Sequence, residues 1–208
     1  MHNLSNEKDS IGIPMYHGTS DIFIPSIKEH GLGGKYNHEI FNINILRLLF
    51  NKIEENRSHQ PDDWVILKVH LEKMTRQEVT SAGFNFQYGN IYISAYEETA
   101  KDYSKNRFGS ELLTEIYKCF NILKNINEHQ ALEIIPENHV ISKIFKKEPR
   151  SAIIKLSIPD VSYIRKETGE PVSDDDISKI KSHINMRRFQ PNFRLVKPIH
   201  IERLQFIV

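Results

Sequence analysis

The chain has 208 residues, of which 39% are hydrophobic and 26% charged, with only 9 Gly and 9 Pro. That length suits one ordinary domain with a sizeable core, and 11 Phe, 8 Tyr and 1 Trp exclude wholesale disorder, collagen-like repeats and low complexity. The net charge of +1 conceals an asymmetry: residues 1–139 carry −5 and residues 140–208 carry +6. A basic end suits nucleic acid or an anionic cofactor, although a solvated, charge-mixed surface has the same composition. The single Cys119 excludes an internal disulfide and a multi-cysteine zinc site, which fits a reduced, intracellular chain. Met1 to Ser10 are polar and do not read as a signal peptide. The most apolar run, Ile43 to Phe50, is broken by Arg47 and falls far short of the roughly 20 residues a membrane span needs. The expectation is a soluble protein without a membrane partner, either cytoplasmic or delivered into a target cell's cytosol by a route that needs no signal.

Along the chain, Ile13 to Tyr16 reads as an extended run that ends in a polar turn, His17-Gly18-Thr19-Ser20. Ser20 or Asp21 then caps a short helix carrying Ile24 and Ile27, which closes at Gly31. Apolar residues at Ile40, Ile43, Leu46, Phe50 and Ile53 predict an amphipathic helix over 40–56. Val65, Leu67, Val69 and Leu71 alternate, which predicts a strand over 64–71. Asn90 to Ser94 is a second strand, leading into a helix through Ala100 and Tyr103. A long helix follows over 110–127, with helical periodicity persisting to about Lys147. Ala152 to Ile158 is a strand, Ser173 to Asp176 cap a helix over 177–185, and strands close the chain near 193–196 and 204–208. Helices and strands lack strict βαβ alternation, so the fold class is α+β rather than a doubly wound sheet. One domain over 1–208 is expected, with helical segments near 35–60 and 110–147 added to the sheet.

Most familiar catalytic signals are absent. No phosphate-cradling glycine loop appears, and the 10 His fall at neither HxH nor HExxH spacing, so no metal is expected. Cys119 sits on the flank of an apolar stripe, where a packed thiol is the simpler reading than a nucleophile. Two segments remain. A His-Gly pair at the end of a strand sets an imidazole at a sheet edge beside a backbone that a ligand can approach closely. Read alone, His17-Gly18 is also an ordinary turn. Tyr92 on a strand and Tyr103 eleven positions later on a helix could present two phenol rings to a flat heteroaromatic ring, and read alone they are equally well core residues.

Taken together and in this order, the segments resemble the ADP-ribosyltransferase superfamily, in the branch of the poly(ADP-ribose) polymerases and diphtheria-type toxins with its His-Tyr-Glu triad. The resemblance rests on His17-Gly18-Thr19 with Gly31-Leu32, and on Gly89-Asn90-Ile91-Tyr92 with Tyr103, about a quarter of the chain. It implies a split, mixed or antiparallel β-sheet flanked by helices, with NAD+ as substrate. His17 would bond the adenosine ribose, the Gly18 backbone the nicotinamide carboxamide, and Tyr92 and Tyr103 would sandwich the nicotinamide ring. Thr19 and Ser94 complete the implied NAD+ contacts. A small hydroxyl residue that the family places three positions before the second tyrosine is Ala100 here, with Thr99 beside it.

The family's late-strand glutamate, which bonds the nicotinamide-ribose 2′-OH, has no plain counterpart. Ungapped matching puts Gln190 there, so His17, Tyr92 and Gln190 form the implied catalytic set; a short gap puts Asn192 there instead. Glu148 and Glu202 are distant substitutes. An amide bonds a hydroxyl without serving as a base, which favours a mono-transferase over a chain-elongating enzyme. Arg187, Arg188 and Arg194 are candidates for the diphosphate. The resemblance implies mono-ADP-ribosyl transfer of toxin or effector type to a protein or nucleic-acid acceptor, with an antitoxin or inhibitor protein as a further partner class. The alternatives are a non-catalytic NAD+ or ADP-ribose binding module, which the missing glutamate suggests, and an RNA 2′-phosphotransferase-like enzyme, which the tyrosine pair disfavours.

Overall fold

The computed structural model describes residues 10–35, 37–79, 85–183 and 192–207. Its elements run β1 (Pro14–Ser20), α1 (Ile24–His30), α2 (Ile43–Glu55), α3 (Trp64–Arg76), β2 (Ile91–Ser94), α4 (Glu97–Ser104), α5 (Glu111–Ile126), α6 (Glu128–Ile134) and α7 (Val140–Phe145). They continue with β3 (Ser151–Ser157), β4 (Ile164–Lys166), α8 (Asp174–His183), β5 (Asn192–Leu195) and β6 (Leu204–Ile207). The class is α+β, as the sequence indicates. The chain divides into two compact units: a sheet unit of Met1–Tyr36, Asn90–Gly109 and Pro149–Val208, and a helical unit of Asn37–Gly89 and Ser110–Glu148. The two helical segments expected from sequence thus belong to one common unit.

The sheet unit holds a six-stranded, open sheet in the order β4-β5-β2-β1-β3-β6. Every ladder between its named strands is antiparallel, so of the mixed and antiparallel alternatives the second holds. Met15, Ile93, Phe193, Leu195 and Ile164 turn to one face and join Leu32, Ile177, Ile180 and Ile199 in a buried cluster. Ile177 and Ile180 bring α8 onto that face. Helix α8 starts at Asp174, three residues before the expected Ile177, because Ser173 and Asp176 form a reciprocal cap: Asp176 Oδ2 accepts from Ser173 N–H and O–H, and Ser173 Oγ accepts from Asp176 N–H. The expected end at Asn185 lies outside the described residues.

Two expectations fail for identifiable reasons. Residues 64–71 form helix α3, not a strand. Trp64, Leu71 and Met74 are buried at helical spacing, while Val65, Ile66 and Val69 are 71%, 80% and 56% exposed. The apparent alternation mixed an inward stripe with apolar residues on the outer face. The second failure is the polar turn at 17–20. These residues are the interior of β1, each paired with β3 from His17↔Ile154 to Ser20↔Ser151. A partner more than 130 positions away cannot be read locally. Nor does Ser20 cap a helix through its side chain; its hydroxyl donates to the Phe108 carbonyl at 2.9 Å.

In the helical unit, Leu46, Leu49 and Ile53 of α2 and Leu113, Ile116 and Leu123 of α5 are fully buried. The caps are those the sequence offers: Asn42 accepts from Asn44 N–H, and Ser110 from Leu113 N–H. Cys119 is fully buried, and burial pushes its thiol far above the ordinary range, so it is a packing residue. Among the described residues no helix is long and apolar enough to cross a membrane, and no group of three His, Cys, Asp or Glu is placed to hold a metal ion.

Candidate functional site

The site is built where β1 and β2 stop pairing. Asp21 N–H donates to the Arg150 carbonyl at 2.9 Å, which fixes the alternation along β1. Odd-numbered residues turn their backbone groups to β3, and even-numbered ones, Tyr16 and Gly18 among them, turn theirs toward β2. Pro14, which has no N–H to give, falls on the even side. The β1–β2 ladder nevertheless contains a single register pair, Tyr16↔Ser94. The next pair in that register would be Gly18 with Tyr92. Instead, His17 Nδ1 lies 2.8 Å from the Tyr92 carbonyl oxygen. The imidazole has taken the acceptor that the ladder would have used, and the β1–β2 ladder is interrupted at Gly18, a gap in the pairing.

That contact also fixes the imidazole's chemistry. A carbonyl only accepts, so Nδ1 carries the proton. Burial holds the His17 pKa below its ordinary value, partly countered by the bond to Tyr92, so the ring is neutral at pH 7. A neutral ring protonated on Nδ1 presents Nε2 as a lone-pair acceptor, suited to a hydroxyl donor such as a ribose.

Helix α4 seats directly on Gly18. A Cβ there would lie 2.0 Å from the Ala100 carbonyl oxygen and 2.9 Å from Ser104 N, so only glycine allows the helix this close. Ser151 Oγ donates to the Ser104 carbonyl at 2.8 Å and ties the end of α4 to β3. The following loop is fixed by Gly109, at φ +62°, where a Cβ would meet the backbone of Thr19 and Ser20 within 2.3 Å. Tyr103 rides on α4 and is 45% exposed. Asn90 Nδ2 lies 3.5 Å from the Tyr92 hydroxyl. Beneath the N-terminus of α4, burial and then the Glu97 carboxylate raise the Tyr16 phenol.

The structure therefore brings together His17, Gly18, Tyr92 and the helix that carries Tyr103. Ser94 and Thr19 are each 3% exposed, and Ser94 Oγ accepts from Tyr96 N–H, so both are interior groups of their strands. Ala100 is 2% exposed. Gln190, Arg187 and Arg188 lie outside the described residues. Glu202 is exposed beside His200, and Glu148 is an exposed residue at the end of the helical unit.

Two residues that sequence reasoning missed, Arg165 and Glu167, lie beside Arg194 and Asn192, which it named. Tyr92 pairs with Arg194, and Arg194 with Arg165, which sets two guanidiniums opposite each other beside the tyrosine. Among the described residues neither joins an ion pair, and like charges directly opposite are unfavourable unless an anion answers them. One rung on, Ser94 pairs with Asn192, and Glu167 is the first residue past β4, whose last register pair is Lys166↔Phe193. Asn192 donates a side-chain hydrogen bond to the Glu167 carboxylate, while burial pushes that carboxyl above its ordinary range. For Glu167 the sequence signal is the turn Glu167-Thr168-Gly169 after the apolar Ile164, and Gly169 stands at φ +93°.

No protein-family model, curated protein or solved structure matches the chain. The site's meaning rests on its geometry and on the motif resemblance.

Proposed function

We propose that the chain is an NAD+-dependent mono-ADP-ribosyltransferase of toxin or effector type, which releases nicotinamide and passes ADP-ribose to a protein or nucleic-acid acceptor. The observation that carries this reading is the interrupted ladder at Gly18. A strand residue whose N–H and C=O both face a gap can grip a planar carboxamide on its two polar edges. The imidazole that opened the gap offers Nε2 to a ribose hydroxyl, and Tyr92 supplies a ring beside it. The Arg194–Arg165 rung supplies positive charge for the diphosphate.

In the reaction the C1′–N bond breaks with its electron pair leaving on nicotinamide, and an acceptor lone pair forms the new bond to C1′. NAD+ and acceptor–H become ADP-ribosyl-acceptor, nicotinamide and one proton. The protein's part is to hold the leaving ring and the bent dinucleotide while cationic character grows at C1′.

The test incubates the chain with NAD+ labelled in the adenosine half, together with cell lysate, and follows nicotinamide release and label transfer. Release with transfer is expected. Tyr92→Ala should lower the rate about 10- to 100-fold, in keeping with the stacking loss of about 1–3 kcal/mol per ring. An unchanged rate removes the site assignment. A second reading, a non-catalytic NAD+ binder, is favoured by the amide rather than carboxylate at the start of β5. It predicts saturable binding without release.

A further inference from the structure

Resting on the NAD+ reading of the site, we propose that Asn192 and Glu167 together take the place of the missing late-strand glutamate, with Asn192 touching the substrate and Glu167 acting as a positioning residue. The geometry is a single rung. Tyr16, Ser94 and Asn192 are successive register partners across β1, β2 and β5, and Glu167, which follows the last β4–β5 pair Lys166↔Phe193, is hydrogen-bonded to Asn192 on the β4 side. Asn192 thus lies between the strand that forms the gap and a half-buried carboxylate.

A side-chain amide has two different ends, and by itself it has no preferred way round. A carboxylate only accepts, so the bond from Asn192 commits Nδ2 to Glu167. This turns Oδ1 to the β2 side, where it accepts a hydrogen bond from a hydroxyl of the nicotinamide ribose. That hydroxyl-to-oxygen bond raises electron density on the ribose hydroxyl oxygen and so steadies the cationic sugar as nicotinamide leaves. The effect belongs to the transition state rather than to ground-state binding. Burial explains why the arrangement holds: Glu167 loses water in the turn after β4 and recovers a partner in Asn192, so neither group is left unanswered. The role is orientation of an acceptor, not proton abstraction, and the acceptor's proton leaves with solvent.

The positions of amide and carboxylate can be exchanged, which gives a test that a structural role would not pass. Steady-state nicotinamide release is measured for the wild-type chain, Glu167→Gln, Asn192→Asp, the double variant and Tyr92→Ala, with thermal unfolding of each as a control on folding. Glu167→Gln lets the Asn192 amide turn either way, and kcat should fall tenfold or more while the KM for NAD+ moves less than threefold. Asn192→Asp sets two carboxylates on one rung and should also lose activity. The double variant restores one carboxylate supported by one amide and should recover at least the wild-type kcat. If Glu167→Gln and Asn192→Asp leave kcat intact while Tyr92→Ala lowers it, this proposal is overturned and the NAD+ site stands. If Tyr92→Ala is also silent, or the wild-type chain binds NAD+ without turnover, the reading beneath it fails as well. Single variants that lose activity without rescue in the double variant likewise overturn the exchange.

Discussion

In the helical unit, Glu54 accepts from Trp64 Nε1 at 2.6 Å and from Gln60 Nε2 at 3.1 Å, and it pairs with Lys68. In the sheet unit, His17 spends one ring nitrogen on Tyr92 and keeps the other as an acceptor. Arg165 and Arg194 oppose each other without an ion pair among the described residues. The contrast separates two uses of a polar group. Where polar residues only join helices, neighbours take up their bonding capacity, and the Glu54 carboxyl is held below its usual range by Lys68 and Trp64 against burial. Where a ladder has been interrupted, the capacity is left over. Glu115 departs from this pattern: Lys118 answers one of its oxygens, and the other, buried, has no hydrogen-bond partner among the described residues.

The contrast is broken first with packing. Leu113→Ala, at a fully buried position of α5, should cost about 2–5 kcal/mol. Gly18→Ala should cost about 1–3 kcal/mol or more, because the Ala100 backbone cannot yield as a flexible side chain would. Urea denaturation measures both. The distinguishing result is activity per folded molecule, retained in Leu113→Ala and lost in Gly18→Ala.

A gentler probe uses one histidine from each unit, because their shifts have opposite sign. Burial lowers the His17 pKa, so the unfolded chain takes up a proton that the folded chain refuses. Its contribution to stability is full above the unfolded value of about 6.5 and falls as pH drops below it. His70 is raised, chiefly by Glu111 at 3.5 Å, so its contribution is full below about 6.5 and is lost as pH rises through the raised folded value. Stability against pH should therefore lose its acid-side fall in His17→Gln and its alkaline-side fall in His70→Gln. Both variants flattening the same limb would erase the distinction.

The smallest expected effect is at the arginine rung. Arg165→Ala should raise the KM for NAD+ a few-fold and leave the unfolding midpoint unchanged or slightly higher, since it relieves a like-charge pair. A lowered midpoint would make the arginine a structural group instead.

How much of this the sequence disclosed follows from the range of the contacts involved. Helices α2 and α5 were legible because their apolar period and their caps are local. The chemistry of His17, Gly18, Tyr92 and Tyr103 was legible as residue types at characteristic spacing. Their environment was not. The strand character of 17–20 depends on β3, and the gap depends on a side chain, His17, taking the carbonyl of a residue 75 positions later. Strand β4 was missed because it has three residues, two of them charged, on an edge of the sheet where a short charged strand discourages further pairing. With β4 went Glu167, since the partner that gives it meaning, Asn192, arrives only through the β5 register.

The central claim is that the backbone of Gly18 grips a carboxamide in the gap beside Tyr92. Titrating benzamide, a planar carboxamide, into the 15N-labelled chain and following the Gly18 amide resonance tests it most directly. The account predicts a saturable shift of the Gly18 amide with a matching change at the His17 ring, both lost in Tyr92→Ala. A Gly18 resonance that stays fixed while benzamide binds elsewhere would contradict it.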